Sequence, residues 1–144
     1  MSDFFSLTAF KETPTSITLK RDTIEVTIKQ SKFDRKKHKF KYLKDYPEII
    51  ELVDGKKYWG RDGGMPTRQF EGISIKVGQR LITLPKYAFE GLYEPNIYTA
   101  EVNCDKANDT FYIHSLNSDG AGSYYVIFKV EKGVYKARLV AYGF

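Results

Sequence analysis

Apolar and polar residues alternate over most of the chain, which is the pattern of half-buried β-strands. In residues 16–20 and 23–29, β-branched residues alternate with polar ones on either side of a two-residue turn. This arrangement predicts an N-terminal hairpin. Residues 73–77 and 80–84 repeat the pattern around Gly78, so we expect a second, central hairpin.

The C-terminal third of the chain carries four more alternating segments and predicts an antiparallel, four-stranded meander. Its strands are expected at residues 97–103, 110–116, 123–131 and 134–142. Lys132-Gly133 is typical of a tight turn between the last two strands. The alternation predicts two buried faces, one made of Tyr124, Val126, Phe128 and Val130, the other of Tyr135, Ala137, Leu139 and Ala141.

Two segments depart from this alternation. Residues 46–53 have apolar side chains at helical spacing, which predicts a short helix, with a strand as the alternative. Residues 85–93 can form a helical turn or two. We therefore expect one domain over residues 1–144 that is mainly β, a β-dominated α+β fold. Its strands would form an antiparallel sandwich or a partly open barrel with one or two short helices and the C-terminal meander.

A domain of 144 residues is large enough to bury a core without disulfides, and the single Cys104 cannot form one within the chain. No apolar run approaches the length of a membrane-spanning helix. The first residues lack the basic and apolar regions of a signal peptide. We therefore expect a cytoplasmic protein, or a periplasmic or secreted one if a signal peptide has been removed.

The net charge of +5 is concentrated in one segment, because residues 20–44 contain ten Lys or Arg and three acids. Cations interleaved with aromatic rings are typical of surfaces that bind acidic proteins or single-stranded nucleic acid. A solvated edge strand protected by lysines is the alternative interpretation. The predicted partner-binding residues are Lys29, Lys32, Arg35, Lys36, Lys37, Lys39, Phe40, Lys41 and Tyr42.

Two glycine-rich segments, residues 60–66 and 117–124, are the second candidate site. Backbone N–H groups in such loops can bind an anion, and their aspartates could bind a cation. Both loops could instead be structural, with glycines supplying positive φ angles. The sequence does not show whether the loops meet. The candidate residues here are Trp59, Arg61, Asp62, Asn117, Asp119 and Tyr124.

Catalytic and metal-binding chemistry finds little support in the sequence. Cys104, His114 and Asp119 are the residue types of a nucleophile, a base and an orienting group. A turn near Ala107 would pair His114 with Ala100 rather than with Cys104, so we expect no catalytic trio. Two isolated histidines and one cysteine do not have the spacing of a zinc site. No cofactor is predicted.

Three segments resemble a group of small, β-rich bacterial proteins that have no established activity. They are Trp-Gly-x-Asp-Gly-Gly-x-Pro at residues 59–66, Leu-Tyr-Glu-Pro-Asn at 92–96, and Asn-Ser-Asp-Gly-Ala-Gly-x-Tyr at 117–124. The resemblance spans residue 59 to the C-terminus. It implies a bacterial origin and a small β-rich domain.

Three functions follow as hypotheses. The first is a non-enzymatic bacterial binding protein, by size and class an immunity protein that neutralises a toxin with an acidic surface through the basic patch. The alternative is a single-stranded nucleic acid binding protein. The second alternative is a cation-dependent site or an enzyme at the two Asp-Gly loops.

Overall fold

The computed structural model describes residues 3–143, which form twelve β-strands. In chain order the strands are β1 (Phe4–Ser6), β2 (Thr8–Thr13), β3 (Ser16–Arg21), β4 (Ile24–Lys32), β5 (Phe40–Tyr42), β6 (Ile50–Val53), β7 (Arg68–Val77), β8 (Arg80–Thr83), β9 (Glu101–Asp105), β10 (Thr110–Asn117), β11 (Tyr124–Glu131) and β12 (Val134–Tyr142). The mainly β fold class is confirmed. None of the described segments is a helix long and apolar enough to cross a bilayer.

Two five-stranded antiparallel sheets form a sandwich. The N-sheet has the order β2-β3-β4-β7-β8, and the C-sheet has the order β1-β9-β10-β11-β12. Strands β5 and β6 form a separate two-stranded sheet. Four short 3₁₀ turns connect the strands, at Arg35–Lys37, Lys86–Phe89, Ile97–Thr99 and Gly120–Gly122. Both faces that meet between the large sheets consist of the alternating apolar residues, so burial of these residues holds the sandwich together.

Both predicted hairpins and the meander are confirmed. The N-terminal hairpin is β3–β4, the central one is β7–β8, and the meander is β9 to β12. The first meander strand begins at Glu101 instead of residue 97, because Ile97–Thr99 forms a 3₁₀ turn. The predicted helical turn in residues 85–93 is the 3₁₀ turn Lys86–Phe89.

The predicted helix at residues 46–53 is wrong, and the alternative strand is right. Ile50–Val53 is β6, which pairs with β5. Its ladder shifts register so that Glu51 is an extra, bulged residue. Because of this bulge, Ile50 and Val53 are both buried on one side of a strand although they are three positions apart. The bulge therefore reproduces the apolar spacing of a helix.

A second bulge corrects the predicted buried face of β12. Lys129 pairs with Ala137 and Val130 pairs with Tyr135, which leaves Lys136 unpaired in the ladder. Beyond this bulged residue, the side chains that simple alternation places on the buried face lie on the opposite face. Tyr135 faces the core as predicted, but Ala137, Leu139 and Ala141 face outward, and Leu139 is 65% exposed. The half-buried residues beyond the bulge are Arg138 and Val140.

Two apolar clusters fix the positions of the loops. The main cluster lies between the large sheets and includes a triangle of rings from Phe70, Phe89 and Phe128, whose centroids are 5.6–5.9 Å apart. The smaller cluster contains Ile50, Val53 and Tyr93 and anchors the β5–β6 sheet. Residues 29–41, called the basic segment below, contact the smaller cluster through Phe33 and Phe40. Both glycine-rich loops lie beside Tyr93, because Gly60 closely approaches the Tyr93 carbonyl and the Tyr124 hydroxyl donates to it.

Candidate functional site

The basic segment runs along the end of β4, a 3₁₀ turn and β5. Asp34 begins the turn, and its carboxylate accepts a hydrogen bond from the backbone N–H of Lys36 at 3.0 Å. This is the capping geometry that satisfies an otherwise free N–H group. The segment's cations are all exposed to solvent: Lys29, Lys32, Arg35, Lys36, Lys37, Lys39 and Lys41.

In the described part of the chain, most of these cations have no opposite charge within ion-pair distance. Lys41 lies 3.9 Å from Glu51, which is a loose, exposed pair. Lys29, Lys32, Arg35, Lys36, Lys37 and Lys39 form no ion pair with any residue from 3 to 143. The β4–β7 register also brings Arg68 opposite Lys32, a neighbour that the sequence analysis missed. The basic segment is therefore an uncompensated positive surface.

The aromatic residues of this segment have mainly structural roles. Phe33 stacks on the His38 ring at 4.4 Å and meets Tyr93 edge-on at 5.1 Å. Phe40 lies 6.1 Å from Phe33 and is half-buried in the smaller cluster. Of the predicted partner-binding rings, Phe40 is thus part of the scaffold, whereas Tyr42 is exposed.

His38 and Asp54 connect the basic segment to β6. The Asp54 carboxylate lies 2.6 Å from His38 Nδ1 and accepts a hydrogen bond from the Lys39 backbone N–H at 2.9 Å. Partial burial alone would raise the pKa of Asp54, but the His38 and Lys39 hydrogen bonds outweigh it and lower the pKa. The carboxylate therefore stabilises the fold in its ionised form.

We expect Asp54→Asn to lower the free energy of unfolding at pH 7 by about 1 kcal/mol or less, because the pair is partly exposed. Asparagine tolerates the left-handed backbone of this position, whose φ is +53°. Since folding depresses the Asp54 pKa, its contribution is present above the unfolded pKa of about 3.9 and is lost as the pH falls through the folded pKa. Urea titrations at pH 7 and about pH 2.5 should show a smaller difference from wild type at the lower pH.

Asp45→Asn is the matched control, because Asp45 is exposed and belongs to none of the ion pairs found between residues 3 and 143. It should leave the free energy of unfolding unchanged at both pH values. An Asp54→Asn effect of equal size at both pH values would contradict the assignment to an ionised carboxylate.

The two glycine-rich loops meet and form an open cleft of about 680 Å³. Ser118 Oγ donates a hydrogen bond of 2.6 Å to the Gly60 carbonyl, which joins residues 58 positions apart. The cleft is lined mainly by polar groups and backbone, from Gly60, Arg61, Asp62, Gly64, Glu94, Pro95, Asn96 and residues 118–122. Of the predicted loop residues, Arg61, Asp62 and Asp119 are therefore brought together.

Glu94 also lines this cleft, although nothing in the sequence marks it as a candidate. Its carboxylate accepts hydrogen bonds from the backbone N–H groups of Thr67 and Arg68 and from the Thr67 hydroxyl. Arg61 lies 3.6 Å from the same carboxylate. Glu94 also has a φ of +53°, which is unusual for a residue other than glycine. These bonds commit Glu94 to holding the loops, so the free carboxylates of the cleft are Asp62 and Asp119.

The remaining three loop candidates are structural. Trp59 lies between the rings of Tyr124 and Tyr142, at 5.9 and 4.9 Å. Asn117 is fully buried, and its side-chain carbonyl accepts a hydrogen bond from the Asn96 backbone N–H at 2.9 Å. The Tyr124 hydroxyl donates to the Tyr93 carbonyl at 2.7 Å, and burial raises its pKa far above the usual value. These residues position the cleft and do not line it.

Cys104, His114 and Asp119 do not form a trio. Cys104 pairs with Phe111 and is buried on the core side, where burial raises the pKa of its thiol. His114 is on the outer face of the C-sheet and pairs with Glu101, one position from the predicted Ala100. Among the residues that the structure describes, no group of three or more His, Cys, Asp and Glu side chains could hold a metal ion.

Comparisons with protein-family models, with curated proteins and with solved structures found no match for this chain.

Proposed function

We propose that this chain is a non-enzymatic bacterial binding protein that docks an acidic surface of a protein partner through residues 29–41. The observation that carries the proposal is the run of six exposed cations without an ion pair among residues 3–143. The two apolar clusters and the His38–Asp54 hydrogen bond hold this run on a folded scaffold. A fixed positive surface accelerates association with an acidic partner and selects against basic ones.

The ring positions favour a protein partner over single-stranded nucleic acid. Binding of unpaired bases relies on aromatic side chains that are free to stack with them. Phe33 and Phe40 pack in the smaller cluster, which leaves Tyr42, just beyond the segment, as the predicted partner-binding ring with a substantially exposed face. Nucleic acid binding therefore stays the second candidate, supported by charge alone.

The bacterial resemblance and the single small domain lead us to propose an immunity protein as the specific case. Inhibitors of nucleases commonly carry negative charge where they replace nucleic acid, whereas this surface is positive. The target we propose is thus a toxin with an acidic face.

The double variant Lys36→Glu/Lys37→Glu tests the binding surface. The toxin partner that we propose is sought as the product of the neighbouring gene. We expect the double variant to weaken association with this partner by about tenfold or more, mainly through a slower association rate. Biolayer interferometry at low and high salt measures this rate, and the wild-type rate should fall steeply with salt because the charges are exposed.

Lys106→Glu/Lys132→Glu is the matched control, because both lysines are exposed and lie in the β9–β10 and β11–β12 turns of the C-sheet, whereas the basic segment follows β4 of the N-sheet. It has the same net charge as the test variant and should bind almost as wild type. Equal losses in the two variants would refute a local binding surface. Tight binding of a single-stranded oligothymidylate, with a log–log salt slope near −3.5 for roughly five phosphates, would favour the nucleic acid alternative.

A further inference from the structure

Strand β12 is a long, free sheet edge. It is the last strand of the C-sheet, and among the described strands it pairs only with β11. The other edges of the two large sheets are β1, β2 and β8, which have three, six and four residues, whereas β12 has nine. An unpaired edge presents a row of N–H and C=O groups that can pair with another strand. Within residues 3–143, no backbone group of β12 hydrogen bonds to a strand on its open side.

The outer face beside this edge is apolar. Leu139 lies next to Ile127 in the ladder, and Ala141 lies next to Tyr125 and then Leu116. Leu139 is 65% exposed, and Tyr125 is 45% exposed. These residues form a continuous apolar strip on the solvent side of three strands, a feature that marks interaction surfaces.

The usual protections of an edge strand are confined to one end of β12. The bulge and the lysine at position 136 protect the part next to the hairpin turn. Arg138 provides no such protection, because its guanidinium turns to the other layer and donates to the Ala88 carbonyl at 2.8 Å. The part from Ala137 to Tyr142 therefore has no charged side chain on its outer face.

We infer that β12 pairs with β12 of a second copy of this chain, antiparallel and about a two-fold axis, so that two C-sheets join into one continuous sheet. Such an axis, perpendicular to the sheet, keeps the apolar strip of both copies on the same side. Residues that lie opposite each other must then share a face, so the axis passes through a residue position of β12.

Repulsion between like charges determines which residue can lie on the axis. An axis at Arg138 places two arginines opposite each other, and an axis at Ala137 places Lys136 opposite the second copy's arginine. Like charges directly opposite in a ladder are destabilising. With the axis at Leu139, Arg138 lies opposite Val140 of the second copy, and Lys136 lies opposite Tyr142. No two cations then face each other.

Among the axes that keep cations from facing each other, the one at Leu139 gives the longest pairing. It joins residues 136–142 of both copies, whereas an axis at Val140 joins only residues 138–142. At this register the two Leu139 side chains meet on the outer face, and Ala137 lies opposite Ala141. The strand can thus pair with its own copy through apolar contacts and without opposing cations, which is why we assign the edge to a second copy rather than to a different protein. This inference is independent of the proposed binding partner, although a dimer would present two basic segments.

Light scattering after size exclusion tests the dimer. We expect wild type to reach twice the 16.6 kDa chain mass, with a Kd on the order of 10–100 µM because edge pairing buries a small interface. Leu139→Lys should raise the Kd roughly tenfold, because it removes the apolar contact at the axis and places two ammonium groups there. Leu81→Lys is the matched control, because Leu81 is 67% exposed on the short edge strand β8. It should dimerise as wild type.

A cysteine scan tests the register. Because Cys104 is buried, an introduced thiol is the only accessible one in the chain. Under mild oxidation Leu139→Cys should give a disulfide-linked dimer, since paired Cα atoms lie within disulfide reach. Val134→Cys should not, because its two copies would be about 30 Å apart in this register. A monomer at roughly 1 mM, a Leu139→Lys dimer as tight as wild type, or equal cross-linking at both positions would each overturn the inference.

Discussion

Gly60→Ala is expected to lower the free energy of unfolding by about 3 kcal/mol or more, because strain and overpacking add at this position. A Cβ on Gly60 would lie 2.3 Å from the Tyr93 carbonyl oxygen and 2.7 Å from its carbon. These are backbone atoms, so no side-chain rotation can relieve the clash. The φ of Gly60 is +105°, a conformation that residues with a Cβ rarely adopt.

A backbone shift that relieves this clash would affect both glycine-rich loops. The Tyr93 carbonyl accepts the Tyr124 hydroxyl, and the Gly60 carbonyl accepts the Ser118 hydroxyl. Any shift that makes room for the methyl group disturbs these two hydrogen bonds, one of which is buried. We therefore expect the cleft to open in the part of the population that stays folded.

Urea unfolding measures the loss of stability, and Gly120→Ala is the matched control in the same cleft. Gly120 also has a positive φ, +52°, but a Cβ there would meet nothing within 4 Å. We expect it to cost only about 1 kcal/mol. If the two alanine variants unfolded at the same urea concentration, the close approach of Gly60 to Tyr93 would have no energetic importance.

The alternation of apolar residues was sufficient to predict the hairpins and the meander, because side chains in a strand point alternately to the two faces. The alternation predicted the wrong faces where one strand of a pair contains an extra, bulged residue. Glu51 and Lys136 are bulged, and each reverses the parity of the residues beyond it. Neither position carries a glycine or proline that would indicate a bulge. The free apolar edge at Leu139 was therefore interpreted as core.

The candidate site was predictable in its residues but not in its assembly. The glycine loops were identified from composition, whereas their meeting depends on a contact between Ser118 and Gly60 that has no local signal. Asn117 had such a signal, since it continues the alternating core positions of Ile113 and Ser115. That parity indicates a buried amide rather than a binding group. For Glu94, no pattern in the sequence indicates its role.

Phe128→Ala is expected to lower the free energy of unfolding by about 3–5 kcal/mol, the usual cost of removing a fully buried ring. Phe128 is 1% exposed and extends from β11 towards Phe70 of the opposite sheet, with a ring distance of 5.9 Å. Phe89, in the 3₁₀ turn after β8, completes the triangle. The variant loses contacts to both layers at once and leaves a cavity that rigid strands cannot close.

Phe10→Ala separates this effect from a general cost of losing a phenylalanine. Phe10 is 64% exposed on edge strand β2, and its main contact is the ammonium group of Lys20, 5.0 Å from the ring centroid. An exposed contact of this kind is worth less than about 1 kcal/mol. Urea unfolding should therefore place the two variants at least about 2 kcal/mol apart. A Phe128→Ala variant as stable as Phe10→Ala would mean that the two sheets do not pack through the Phe70–Phe89–Phe128 triangle.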